Sequence, residues 1–252
     1  MTNKPQAPQA APVFGTAAKG EIVTIFIGPE KKRYNIHKDV ICHHSEYFRT
    51  AYNGRWKESD EGATLEDIEV EVFNIFVHWL YAQTLPNCPQ LILRLAEETD
   101  PGSELGWSRY RHAWELVLKC GMFGDRFLTP AFHHLAHNTF VNVQFGEGVD
   151  GGASGVSYAT IIWAFDNLPS DSLILAMMVD LQCIAWNEEQ DDEEEKSDLS
   201  QLPNEFLVAV MLKQNKIRVC DETTELSACD YHLHESEEEK KACPANGKYC
   251  KS

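Results

Sequence analysis

The usual marks of catalysis are missing from this chain. It has no Gly-x-Ser-x-Gly nucleophile turn and no Walker phosphate loop, and no dinucleotide fingerprint opens a helix after a strand. The glycine-rich stretch at 146–155 reads as a flexible loop, because no Gly-Lys-Ser/Thr follows it. Positive charge is scarce, with 22 Lys and Arg against 39 Asp and Glu and a net charge of −17. That balance argues against nucleic acid or an anionic membrane as a partner recognised through bulk electrostatics. No apolar run approaches the roughly 20 residues of a membrane-spanning helix. The N-terminus lacks the apolar core of a secretory signal. The expectation is an intracellular protein, cytoplasmic or nuclear. Its eight cysteines then read as thiols or metal ligands rather than disulfides.

Residues 21–86 carry the most information. Ile22–Ile27 is an almost wholly apolar run and reads as a buried strand, ended by Gly28-Pro29. Tyr34–Ile36 can return as its hairpin partner. Two short helices are expected at Lys38–His43 and Ser45–Gly54, with Ser45 as an N-cap residue and Tyr47, Phe48, Ala51 and Tyr52 at helical spacing. Thr64–Ile68 reads as a strand. Val70–Ala82 reads as a helix, with Phe73, Phe76, Val77 and Leu80 on one stripe.

The segments IVTIFIG, YNIHKDVICHHSEYFRTAY and LEDIEVEVFNIFVHWLYAQTL, in this order, resemble the BTB/POZ family, most closely its members from filamentous fungi. The resemblance covers about a third of the chain. It implies a small α+β module that mediates protein–protein contact, with His37 as a structural residue joining hairpin to helix. Trp56-Lys57-Glu58 matches the apolar-x-acidic pattern that BTB adaptors use to bind the cullin scaffold of a ubiquitin ligase. The competing reading packs Trp56 over its own domain. The resemblance thus implies a partner-binding face of Tyr47, Phe48, Tyr52, Trp56 and Glu58, open to a cullin or to a second BTB chain. Glu21 or Ile22 stands where many animal members carry an aspartate at their dimer seam, and the lead-in lacks their long apolar helix. Both departures count against dimerisation by that route.

The remainder reads as helices and breaks. Residues 1–19, rich in Ala, Pro and Gln, read as a disordered lead-in. Leu91–Ala96 is a short strand or helix within a Pro-broken loop. Residues 104–144 read as two helices, with Tyr110, Trp114, Val117 and Leu118 on one face of the first and Gly121 and Gly124 around the break. Pro130 opens the second, and Leu135, Thr139 and Phe140 continue its apolar side. Ser157–Asn167 and Ser170–Trp186 follow, the latter with a face of Leu173, Ala176, Met177, Leu181 and Ile184. The stretch 188–198 holds eight acids and one lysine, leaving −10 for the rest, and is expected to be a solvated linker. One more helix begins after Leu202-Pro203, where Phe206, Val210 and Leu212 are apolar.

Metal-ligand character is concentrated in the tail. Half of the cysteines lie in the last 33 residues. Cys229, His232 and His234 cluster, followed by Cys243 and Cys250, with Cys220 upstream. Tetrahedral zinc takes four such ligands. These spacings match no standard finger, and the competing reading is a tail of reduced cysteines packed on helices. The segment Cys-Asp-Tyr-His-x-His is similar to one near the end of fungal BTB proteins, which implies a structured tail. His133, His134 and His137 suggest a metalloprotease helix, but His134 stands where the catalytic glutamate belongs. They read instead as polar faces of a surface helix, and His43-His44 likewise.

The sequence therefore predicts an α+β BTB/POZ module over 20–99, a small sheet capped by helices. A helical region over 100–187, the acidic linker and a Cys/His-bearing tail over 199–252 follow. The expected function is protein binding without catalysis. One reading is a cullin ligase adaptor; the other is a self-associating scaffold or regulator with no ligase link. Zinc at the tail is the one cofactor in view.

Overall fold

The computed structural model describes residues 15, 19–53, 62–96, 107–146, 156–186, 191, 193–220 and 226–245. The first elements form a three-stranded sheet. Strands β1 (Ile22–Ile27) and β2 (Lys32–His37) make an antiparallel hairpin in which Ile22 pairs His37 and Ile27 pairs Lys32. Strand β3 (Ala63–Leu65) adds in parallel on the other side, so β1 is central. Only one side of β1 is buried: Val23, Ile25 and Ile27 are inside, whereas Ile22 is 58% exposed. The apolar run thus builds a sheet covered on one face rather than a strand buried on both. Gly62 stands just before β3 at φ +89°, where a Cβ would meet the Thr24 carbonyl oxygen at 2.8 Å, so no other residue fits there.

Helices α1 (Lys38–His44) and α2 (Glu46–Ala51) carry the chain from β2 towards β3. Ser45 caps α2, its Oγ accepting from the Phe48 N–H. Helix α3 (Val70–Ala82) matches its expected bounds and buries Phe73, Phe76, Trp79 and Leu80; it ends at Gln83 in the left-handed region. Helix α4 (Pro89–Leu95) resolves the strand-or-helix ambiguity, with Pro89 in the first turn where its missing N–H costs nothing.

Helix α5 (Trp107–Arg126) runs straight through Gly121 and Gly124, and the break falls at 127–129 instead. Gly124 has a packing role. A Cβ there would lie 2.6 Å from the backbone nitrogen of His133 in helix α6 (Pro130–Gln144), so the glycine lets the two helices close on each other. Helix α6 buries Phe132, Ala136 and Phe140; Leu135 and Thr139 are only half-buried.

Helices α7 (Tyr158–Asn167) and α8 (Leu173–Ala185) start after the caps Ser157 and Ser172. The buried face of α8 is Ile174, Met177, Met178 and Leu181; Leu173 and Ala176 turn outward. Helix α9 (Glu193–Asp198) lies within the stretch expected to be a solvated linker. Its Glu195 carboxylate accepts from the Tyr158 backbone N–H at 2.9 Å and pairs with Arg111 at 3.2 Å, while the Tyr158 hydroxyl donates to Asp191 at 2.9 Å. Two acids of the run are therefore fastened by donors from elsewhere in the chain, which composition alone does not disclose. Helix α10 (Asn204–Cys220) buries Phe206 but leaves Leu212 54% exposed. The segment 226–245 ends in helix α11 (Glu237–Ala242), capped by Ser236.

The chain divides into two compact units. The first joins Met1–Leu105 to Lys119–Ala136; the second joins Gly106–Leu118 to His137–Ser252. The small sheet and its helices thus belong to the first unit, and the second is helical apart from its tail segment. None of the described helices is long and apolar enough to cross a membrane.

Candidate functional site

Helix α2 positions the first group of candidate residues. Its short amphipathic turn places Phe48 and Tyr52 inward, at 0% and 3% exposure, and leaves Tyr47 38% exposed. Phe48 stacks on Phe127 at 5.7 Å, and the Tyr52 hydroxyl donates to the Thr24 carbonyl at 3.0 Å. These two side chains hold α2 to the sheet and to the end of α5, so they anchor the face rather than form it. Buried Ser45 makes the same connection in polar form, donating to the Phe127 carbonyl at 2.6 Å. Tyr47 rests edge-on against Phe127 at 5.0 Å, beside a solvent-facing Glu46–Arg49 pair at 3.6 Å. Gly54, Trp56 and Glu58 lie outside the described residues, as does Cys250.

A second exposed group lies at the start of the sheet. His37 precedes α1, and the Tyr81 hydroxyl accepts its backbone N–H at 3.3 Å and lies 3.0 Å from its Nδ1. His37 therefore ties the hairpin, α1 and α3 together, as its structural role requires. Around it Ile22 and Tyr81 are exposed, and Glu21 pairs with Lys38 at 2.8 Å. The bond to Glu21 raises the Lys38 pKa above its ordinary value.

With this arrangement in place, comparison with known families decides the first unit. Residues 15–100 match the BTB/POZ domain family. A BTB/POZ domain mediates protein–protein contact and is not an enzymatic family, and the small sheet with its capping helices is its fold. The compact unit that contains the BTB/POZ domain also takes in Lys119–Ala136, which lie beyond the matched residues. Phe123 and Phe132 supply part of its core, at 4.7 and 5.2 Å from Phe76.

The second candidate site is in the helical unit. Cys229, His234 and Cys243 bring their ligand atoms within 4.8 Å of one another, a group that could hold a metal ion. Ser227 caps the turn at 228–230 by accepting from the Cys229 N–H, and Cys243 ends α11, so two local caps aim the two thiols at one point. Cys229 Sγ lies 3.5 Å from His234 Nε2. His232, absent from the group of three, has Nδ1 at 3.3 Å from Cys243 Sγ and Nε2 at 2.7 Å from Asn142 Oδ1 in α6. Burial and then the neighbouring His234 hold the His232 pKa down at about 4, so the ring is neutral near pH 7. Burial, followed by the bond to Cys243, pushes the Cys229 thiol up to about 11.

The three histidines of α6 do not converge as ligands. His137 is buried, contrary to its expected place on a polar surface, with Nε2 2.8 Å from the Tyr231 carbonyl. The half-buried His133 lies 2.8 Å from the Gly121 carbonyl through Nδ1. Asn142 escaped the sequence reading altogether. It lies 90 residues from His232, and no local pattern links the two.

Proposed function

We propose that this protein is a non-enzymatic, cytoplasmic or nuclear adaptor whose BTB/POZ domain docks on the cullin scaffold of a ubiquitin ligase. The docking face is the outer side of α2 together with Trp56 and Glu58, which follow it in the sequence. The observation that supports this reading is Tyr47: it is the aromatic of α2 left exposed, while Phe48 and Tyr52 fix the helix beneath it. A rigidly held aromatic with a polar rim of Glu46 and Arg49 has the make-up of an interface anchor.

The test is affinity purification of the full chain from a lysate, followed by mass spectrometry. Wild type retains a cullin; Tyr47→Ala, Trp56→Ala and Glu58→Lys each lose it while their circular dichroism stays that of wild type. If the wild type retains no cullin, the adaptor reading fails. The exposed Ile22 and Tyr81 around His37 favour a second reading, self-association through the exposed start of the sheet. Light scattering would then give a dimer for the wild type and a monomer for Ile22→Asp.

A further inference from the structure

We propose that Cys229, His232, His234 and Cys243 form a four-ligand structural zinc site that fastens the C-terminal segment to helix α6. This inference is independent of the partner reading and concerns residues of the helical unit only.

Geometry carries it. Around tetrahedral zinc, with bonds of about 2.3 Å to sulfur and about 2.0–2.1 Å to nitrogen, a sulfur and a nitrogen ligand lie about 3.5 Å apart. The two sulfur–nitrogen separations here are 3.5 Å for Cys229–His234 and 3.3 Å for His232–Cys243. Both pairs sit at ligand spacing, and Cys229, His234 and Cys243 are mutually within 4.8 Å; His232 stands outside that group beside Cys243, so its ring must move inward to become the fourth ligand. The chemistry fits as well, because two thiols and two imidazoles match the Cys2His2 donor set of structural zinc sites. Four protein donors leave no open position for water or substrate, which makes the site structural rather than catalytic.

The outer contacts point the same way. With Asn142 Oδ1 accepting from His232 Nε2–H, the lone pair of that imidazole is on Nδ1, the nitrogen that faces Cys243. Metal-bound histidines ordinarily have their second nitrogen held in this manner. The ligand order is Cys-x2-His-x-His-x8-Cys, so the ion would close the turn at 228–230 onto the end of α11. Through Asn142 it would hold that closed loop against α6.

The experiment uses the full chain, purified under reducing conditions without chelator. Elemental analysis should find about one zinc per chain. Cys243→Ser and His232→Ala should each reduce that to a small fraction. Asn142→Ala should weaken zinc binding by about 10–100-fold in competition with a chromophoric chelator. Cys250→Ser should retain full occupancy. Cobalt in place of zinc should give the visible bands of a tetrahedral thiolate site, lost in the two ligand variants. Wild type that takes up neither zinc nor cobalt when titrated with the metal alone overturns the proposal, and that result needs no variant to fold. A Cys250→Ser chain that loses zinc while His232→Ala keeps it overturns the assignment of the fourth ligand. A Cys229–Cys243 disulfide in the reduced preparation overturns the site itself.

Discussion

The two compact units bury different kinds of side chain. In the BTB/POZ unit the core is aromatic: Phe48, Phe73, Phe76, Trp79, Phe123, Phe127 and Phe132 are all at most 1% exposed, and among its described residues the fully buried polar side chains are Ser45 and Thr129. The helical unit buries His137, Gln144, Thr160, Ser227 and His232 among its apolar residues. It also fastens carboxylates to buried hydroxyls, as in Tyr231 with Asp180 at 2.7 Å and Tyr158 with Asp191 at 2.9 Å. Apolar packing depends on volume and is nearly indifferent to pH. Directed polar contacts depend on charge state and on the presence of each partner. The first unit should therefore fail through cavities and the second through lost partners.

Phe76→Ala should have the largest effect. The ring lies within 6.0 Å of Phe73, Trp79, Phe123 and Phe132, centroid to centroid, and removing it leaves a void that so many rigid neighbours cannot fill. The expected loss is about 3–5 kcal/mol of unfolding free energy in denaturant titration. The same scan applied to the second unit begins with Asp180→Asn. Asp180 accepts from the Tyr231 hydroxyl and pairs with Lys213 at 3.2 Å; the substitution keeps its shape and removes its charge. About 1.5–3 kcal/mol should be lost. An Asp180→Asn chain as stable as wild type would erase the distinction between the two units.

The same contrast explains what was legible in the sequence. Helix α3 and the hairpin were readable because local periodicity is all they need: Phe73, Phe76 and Leu80 fall on one stripe, and Gly28-Pro29 ends β1. The end of α5 is not legible in the sequence because glycine ordinarily weakens helices, whereas Gly124 serves a close approach to His133 that only the tertiary structure reveals. The sequence pattern points to an apolar face of α8 rotated from the real one, because nearly every residue of LILAMMVDLQCIA is apolar or small and several faces fit. The acidic run read as solvated because Arg111 and the N–H of Tyr158, which hold Glu195, are distant in sequence. At the metal-competent cluster, residue types were visible in Cys229, His232, His234 and Cys243, but that Cys229, His234 and Cys243 come together depends on how the tail turns. Of the expected partner face, Tyr47 is exposed, whereas Phe48 and Tyr52 belong to the core. Helical spacing cannot tell the two sides apart when both are aromatic.

The smallest effect sharpens the comparison from the opposite side, because the aromatic unit packs a pH-sensitive histidine against its core. The half-buried His44 ring lies edge-on to buried Trp79 at 5.1 Å, with His43 beside it and the Gln83 amide nitrogen 3.3 Å from its Nε2. Burial, then repulsion from His43, holds its pKa at about 4, against 6.5 for an ordinary histidine. The unfolded chain therefore takes up a proton at this position as pH falls below about 6.5, and the folded chain does not until about 4. Unfolding gains protons, so the stability due to neutral His44 is complete above pH 6.5 and is lost progressively down to pH 4. After discounting for solvent screening of a half-exposed ring, the loss between pH 7 and pH 5 is about 1 kcal/mol. His44→Asn removes the titration and keeps a polar group facing Gln83, so its stability should decline less than that of wild type over this interval by that amount. Denaturant midpoints at the two pH values measure the difference. An unchanged decline in the variant would mean that His44 contributes nothing to the acid sensitivity over this interval, and its contact with Trp79 would then carry no pH dependence.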